Sequence, residues 1–339
     1  MNTNVFCNID MKGVYLFPPI DLKDSNSNPY IANFQSVLKA RYSLLFPIKR
    51  RFEFSGLSLL LSSFKADYCI VNWIESVMLS NHKVLQYLFT ILGFHILKYR
   101  RGKIIWMFHN MHPHEGENKY SKSIQKFLYK KSDLIISHSK EAADFVKTKS
   151  QTEILYKCHP ITKINVTEKV EASFCDILIW GTILPYKGVL EFISKPFVRN
   201  SQWAIHIIGI CKDKQLENDI KGLCNANIKY ENRHIDFDEL YYKIQHCKYV
   251  LFPYIGDCVS SSGALIDTIV LGGTPVGPNR GAFKDLSEEQ LCLTYQNDEE
   301  LSNILNQSIA INSEKRQEFI NENSWDAFGK FLYEKLNRL

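Results

Sequence analysis

Short apolar runs alternate with amphipathic stretches along almost the whole chain, and this rhythm sets the expected architecture. In the first half, Gly13 to Pro18 (GVYLFP), Tyr68 to Ile74 (YCIVNWI), Lys103 to His109 (KIIWMFH) and Asp133 to Ser137 predict buried strands, and Glu153 to His159 closes the series. Helices are expected from Pro29 to about Leu45, over Val84 to Tyr99, over Ser121 to Lys131 and over Lys140 to Lys147. The pattern lapses into polar, mixed-charge sequence from Thr162 to Ser173, the expected linker. A second series then begins. Strands are expected at Asp176 to Trp180, Trp203 to Gly209, Ile228 to Glu231, Tyr249 to Tyr254 and Thr274 to Val276. Helices are expected from about Gly188, Lys212 and Phe237, over Ala264 to Leu271, near Glu299 to Ile311, and over Ser324 to Leu339.

Strand and helix in strict alternation predict parallel sheets covered on both faces. The reading is an α/β chain of two Rossmann-like, doubly wound domains in tandem, with a cleft between them. The first covers residues 1–165 and the second residues 166–320, and the last helix, residues 321–339, is expected to pack back on the first domain. In such sheets ligands bind beyond the carboxyl ends of the strands. That singles out Asn72-Trp73-Ile74-Glu75 and the loop HNMHPHE after Phe108.

Size and composition agree. A chain of 339 residues exceeds what one core usually supports, and 45% apolar with 23% charged residues is the make-up of a folded globular protein. The nine cysteines are scattered, with no CxxC, which argues for a reducing compartment over a disulfide framework or zinc ribbon. The N-terminus lacks a signal-peptide pattern. The longest apolar run, Val84 to Leu97, is too short to span a bilayer comfortably, so no transmembrane anchor is expected. Its helix is apolar on nearly every side, which suits deep burial or contact with lipid.

Charge adds an asymmetry. The net charge is +5, yet residues 1–170 hold 24 Lys and Arg against 13 Asp and Glu, while the remainder holds 17 against 23. A basic half implies an anionic partner. Basic clusters beside apolar runs, Lys49-Arg50-Arg51 and Lys98 to Lys103, favour a membrane surface, and nucleic-acid recognition motifs are absent. The expected location is cytoplasmic, peripheral on the inner face of the cell membrane.

One stretch is suited to phosphate. Cys258 to Pro278 (CVSSSGALIDTIVLGGTPVGP) runs from a small-polar turn into an apolar helix. Ser261, Ser262 and Gly263 open that helix, whose free N–H groups and dipole favour an anion, and side chains this small let a diphosphate approach the backbone. An ordinary capped helix in a sheet protein reads the same way.

Several strings together resemble GT-B glycosyltransferases, of the bacterial envelope and capsular polysaccharide type and similar to glycosyltransferase group 1. Gly181 to Gly188 (GTILPYKG) resembles a strand-to-helix turn in which a Lys-Gly pair opens the helix. The run from Asp238-Glu239-Leu240 to YVLFPY, the Gly-Thr-Pro-Val ending near Thr274, and the strings NWIE and FHNMHPHE are similar to others in that family. The resemblance covers most of the chain. It implies a phosphate-binding role for Lys187, with Gly181, Ser261, Ser262 and Gly263 around the same diphosphate. It places the nucleobase near His234 and Ile235, with Tyr254 lining the pocket.

Two departures stand out. Where many relatives carry an arginine before the lysine, Thr182, Ile183 and Leu184 supply no cation, so Arg280 is the substitute considered. Where retaining relatives carry two glutamates, this chain has Ser260 and Thr268, with Asp267 one place off. That favours inversion, which needs a general base for the acceptor hydroxyl. Candidates are Glu75, His109, His112, His114 and Glu115, with His109 and Glu115 preferred. Three histidines and a glutamate this close also suggest zinc, but a proline interrupts them and no spaced partner cluster exists, so no metal is expected.

The implied activity is metal-independent hexosyl transfer from a nucleotide-diphosphate sugar, the donor substrate, to a lipid-linked or polysaccharide acceptor. No other cofactor and no nucleic-acid partner are expected. Two other readings stand beside it, a nucleotide-sugar epimerase and a non-catalytic assembly protein that keeps the fold.

Overall fold

The computed structural model describes residues 11–19, 29–45, 55–79, 82–109, 111, 116–164, 174–256 and 262–339. The chain divides into two compact units. The first runs to His138 and takes in Ala142–Lys157 and Trp325–Leu339, and the second takes in Ser139–Glu141 and Cys158–Ser324.

Each unit carries a six-stranded sheet in which every pair of neighbours is parallel. In the first unit the strands are β1 (Gly13–Phe17), β2 (Ser43–Leu44), β3 (Tyr68–Val71), β4 (Lys103–Phe108), β5 (Leu134–Ser137) and β6 (Glu153–Tyr156). Their order across the sheet is β2-β1-β3-β4-β5-β6. In the second unit they are β7 (Cys175–Trp180), β8 (Ile205–Ile208), β9 (Ile228–Glu231), β10 (Cys247–Leu251), β11 (Pro275–Pro278) and β12 (Leu293–Tyr295), in the order β12-β11-β10-β7-β8-β9.

The continuous apolar runs become strands because both faces of a parallel sheet are covered, so successive side chains enter different cores. Tyr15, Phe17, Cys69, Val71, Ile104, Trp106 and Phe108 pack on one side of the first sheet with Phe94, Leu97, Ile124 and Leu128. Val14, Leu16, Tyr68, Ile70, Ile105 and Met107 pack on the other with Phe34, Trp325 and Phe328. In the second unit Ile177, Ile179, Ile205, Ile207, Tyr249, Leu251 and Val276 share a core with Val189, Phe192 and Ile220.

The final helix, Trp325–Leu336, is part of the first unit. Trp325 meets Tyr30 edge-on at 5.1 Å, Phe328 meets Phe34 at 5.5 Å, and the Tyr68 hydroxyl donates to the Leu336 carbonyl at 2.8 Å. A Cβ on Gly329 would lie 2.2 Å from Val37 Cγ1, so this glycine sets how closely the helix seats against helix Pro29–Lys39.

The structure departs from the expected elements where local chemistry outweighs pattern. The helix from Pro29 stops at Lys39, and the Arg41 and Tyr42 amides close it on the Leu38 carbonyl, freeing Ser43–Leu44 to pair with β1. The strand expected to reach Ile74 ends at Val71, because Trp73 turns into the left-handed region (φ 40°) and Ile74–Val77 is a helical turn. Helices Ser55–Ser62, Gly281–Glu288 and Ser313–Glu322 and strands β2 and β12 were not expected. They are short, and tertiary contacts decide such segments more than periodicity does. Most of the expected linker, residues 165–173, lies outside the described residues.

Phe328 is fully buried among aromatic rings. Phe328→Ala is expected to destabilise the first unit by about 3–5 kcal/mol, read as a shifted midpoint in urea denaturation followed by tryptophan fluorescence. A midpoint that does not move would show that the final helix is dispensable to that core.

Candidate active site

Strand order marks one place in each sheet where successive connections leave in opposite directions. In the second unit β7 leads through β8 to β9 on one side, while β10 leads through β11 to β12 on the other. The switch lies between β7 and β10, and the carboxyl ends of strands at a switch point open a crevice for ligand.

The GTILPYKG string lies at the end of β7, and the backbone of its loop is sewn to its neighbours. Gly181 N donates to the Ile208 carbonyl, Ile183 N to the Ile210 carbonyl, and Ile255 N to the Tyr186 carbonyl. Two glycines make this possible. Gly188 has φ 65° and passes so near β10 that a Cβ there would lie 2.1 Å from the Pro253 carbonyl oxygen. A Cβ on Gly209 would lie 1.8 Å from the Gly181 oxygen.

The loop ends in a single 3-10 turn, Pro185–Lys187, that holds Lys187 over the strand ends. Its Nζ lies 5.6 Å from the centre of the Tyr254 ring, a cation–π distance, and 3.6 Å from where a Cβ on Gly181 would stand. Among the described residues no carboxylate pairs with it. Burial therefore depresses the Lys187 pKa, with Tyr186 opposing it.

Tyr254 follows β10, and burial pushes its hydroxyl up to about 12 despite a hydrogen bond with the Ser262 side chain. Ser262 caps helix Gly263–Val270, its Oγ accepting from Leu265 N at 3.3 Å, and among the described residues nothing stands within 4 Å of where a Cβ on Gly263 would lie. Arg280 donates from Nη2 to the Tyr254 carbonyl at 3.1 Å, and its buried Nε has no acceptor among the described residues. Gly181, Lys187, Tyr254, Ser262 and Arg280 are thus linked around the ends of β7 and β10. Ser260 and Ser261 lie outside the described residues.

Thr268 belongs to the packing. It is fully buried, accepts from Trp180 Nε1 at 3.0 Å and donates to the Ala264 carbonyl at 2.8 Å. Asp267 beside it has a carboxyl pushed up to about 7 by burial. His234 and Ile235 lie after β9, with His234 exposed and Ile235 buried. Their loop is held by Arg233, which bonds Glu231 at 2.6 Å and grips both oxygens of Glu239.

In the first unit the switch lies between β1 and β3. Just past β3, Asn72 bonds the Phe17 carbonyl through its backbone N at 2.8 Å and through Nδ2 at 3.4 Å. That turns Asn72 Oδ1 toward His109 Nε2, 2.9 Å away, at the end of β4. An amide oxygen only accepts, so His109 Nε2 carries the proton and, in the neutral ring, Nδ1 carries the lone pair. Trp73 stacks on the imidazole at 4.4 Å, and Tyr30 meets it edge-on at 5.2 Å. Glu75 is buried in the turn that follows Trp73. His112, His114 and Glu115 lie outside the described residues.

Two residues of this cluster escaped the reading of the sequence as partners. Asn72 orients His109, and His138 ends β5 just as His109 ends β4. His138 is committed at both nitrogens, Nδ1 to the Lys157 carbonyl at 2.8 Å and Nε2 to the Tyr30 hydroxyl at 2.9 Å. A polar residue directly after each buried strand was the signal available for both. Among the described residues no group of His, Cys, Asp or Glu is placed to hold a metal ion.

No protein-family profile matches the chain, and no curated protein matches it in sequence. Solved structures do match in fold. Anabaena HepE in complex with UDP-glucose superposes with a TM-score of 0.67 at 13% identity, covering 97% of this chain and 100% of that one. An E. coli structure described as trehalose-6-phosphate bound with UDP-2-fluoro glucose gives 0.65 at 10%, covering 97% and 99%. AviGT4, a glycosyltransferase involved in avilamycin A biosynthesis, gives 0.59 at 12%, covering 97% of each. At these identities the likeness is one of fold.

Gly188→Ala would combine a left-handed backbone with a clash against the Pro253 carbonyl. It is expected to destabilise the second unit by about 2–4 kcal/mol and to displace Lys187. Wild-type thermal stability in the variant would show that the turn can relax.

Proposed function

We propose that this chain, which has the GT-B fold, is a glycosyltransferase taking a nucleoside-diphosphate sugar as donor. The observation that carries the reading is the Lys187 ammonium, partly desolvated without a carboxylate, beside the open start of helix Gly263–Val270 at the β7/β10 switch. Departure of the sugar leaves negative charge on the diphosphate. Lys187, the helix N-terminus and the unpartnered Nε of Arg280 would meet that charge, so transfer on this reading runs without a metal. The diphosphates in the HepE and E. coli structures make UDP the first probe.

The reaction inverts. Thr268 is locked to Trp180 and offers no carboxylate for a retaining pathway, so an acceptor hydroxyl attacks the anomeric carbon directly. His109 is the base that takes its proton, with the ring held by Asn72 and Trp73. Glu75 and Glu115 are the other carboxylates assigned to the acceptor side. The acceptor is a lipid-linked sugar or growing polysaccharide, in keeping with the basic first half of the chain, at the inner face of the membrane.

Lys187→Met tests the donor site. UDP binding should weaken by about 1.5–3 kcal/mol in titration calorimetry, the range for a charge-assisted hydrogen bond. The ligand-free variant should also melt at a higher temperature. A depressed lysine pKa means that the protonated form costs folding stability, fully so below the depressed value and not at all above the unfolded one, and methionine removes that cost. In the wild type, UDP should lose affinity as pH rises through the depressed value, the range in which binding would take up a proton. Equal affinity in wild type and variant would sink the assignment.

Asn72→Asp tests the base. A carboxylate at Nε2 favours imidazolium, so the acidic limb of kcat/KM should move to higher pH while UDP affinity stays the same. A profile that does not shift removes His109 from the mechanism.

A further inference from the structure

Helix Lys83–Tyr99 of the first unit is built inside out. Its buried face holds Gln86 and Thr90 with Gly93, Phe94 and Leu97, while Val84, Leu85, Leu88 and Leu92 are 46–53% exposed. Leu85, Leu88 and Leu92 recur at helical spacing, so they form one stripe, and Tyr99, 91% exposed, continues it. The rotation is fixed from behind. Gln86 Oε1 accepts from Gly56 N at 2.6 Å, and a Cβ on Gly93 would run into Leu59 Cδ2 at 2.4 Å. Helix Ser55–Ser62, which supplies those contacts, adds exposed Leu61 and, just past its end, exposed Phe64.

The other flank is basic. Helix Lys119–Lys131 joins through Tyr87 and Ser123 at 2.8 Å and through stacked Phe94 and Phe127 at 5.6 Å. It carries Lys119, Lys122, Lys126, Lys130 and Lys131, all exposed, and no acidic residue. Along the chain no Asp or Glu stands between Glu75 and Glu115. Lys98 and Lys103 are spent on Asp133, at 2.8 and 3.7 Å, and Lys49-Arg50-Arg51 lies outside the described residues. The positive charge beside the stripe is therefore the lysine row with Lys83, Arg100 and Arg101.

We propose that the leucine stripe of helix Lys83–Tyr99 and the adjoining lysine row form a surface on which this chain lies against an anionic bilayer. The helix is about 25 Å long and rests in the plane of the interface, leucines among the upper acyl chains and lysines among the phosphates. No helix among the described residues is long and apolar enough to cross a membrane. A second copy is a poorer occupant, since two such faces would bring lysine rows of the same sign together. The inference rests on the reading of a lipid-linked acceptor above and supplies its surface.

The test uses full-length protein with phosphatidylcholine vesicles, alone or mixed equally with phosphatidylglycerol, and UDP calorimetry in parallel. Wild type should pellet with the anionic vesicles and be released by salt. The triple variant Leu85→Ser, Leu88→Ser, Leu92→Ser should partition at least about tenfold more weakly. Lys122→Glu, Lys126→Glu, Lys130→Glu should lose the dependence on phosphatidylglycerol. All should keep wild-type melting temperature and UDP affinity. Unchanged pelleting of the leucine variant, or a wild-type dimer that the variant dissolves without any vesicle binding, overturns the surface. Vesicle binding without UDP binding leaves the surface standing and removes the donor site instead.

Discussion

A partly desolvated ammonium with no carboxylate beside it among the described residues is a cost that folding does not account for, and the second unit is arranged to hold one. Lys187 depends on the turn that ends at Gly188, the turn on the close pass of Gly188 against Pro253, and that pass on β7 and β10 being neighbours. The same adjacency brings Tyr254 under the ammonium and Ser262 to the head of the next helix. A neutral side chain in that position would suit the apoprotein better. On the proposed reading, that penalty is one a bound anion would offset.

The first unit solves a different problem with the same sheet geometry. Its strand ends gather aromatic rings around two imidazoles, and hydrogen bonding separates their roles. His138 is held at both nitrogens, and Asn72 holds His109 at Nε2. Trp73, in a left-handed conformation, brings its ring onto the face of His109. Backbone strain of this kind persists where surrounding contacts over-determine it.

Much of this was legible in the sequence. Ten of the strands follow from continuous apolar runs, because burial on both faces leaves little other pattern for a parallel strand to show, and alternation with helices implies the two sheets. The turn at Lys187 and Gly188 was legible because GTILPYKG resembles one in which a Lys-Gly pair opens a helix, and Gly188 does cap helix Val189–Ser194. Three things were not. The rotation of helix Lys83–Tyr99 is set by Gly56 and Gly93, which the helix's own apolar surplus conceals. Asn72 looked like strand-end polarity until its two bonds to the Phe17 carbonyl fixed which way its amide faces. Arg280 was considered only as a substitute cation, and its hold on the Tyr254 carbonyl comes from the mouth of a helix invisible to periodicity.

The place of helix Trp325–Leu336 bears on how the protein is made. Tyr30 and Phe34 belong to helix Pro29–Lys39 of the first unit, and the rings that cover them follow in the chain only after the whole second unit. A chain synthesised from its N-terminus must therefore carry an unfinished first core through the synthesis of everything up to Ser324. Fragments ending before Trp325 leave that aromatic surface bare. A circular permutant that moves the final helix to the front would let the first unit close its core as its own strands emerge.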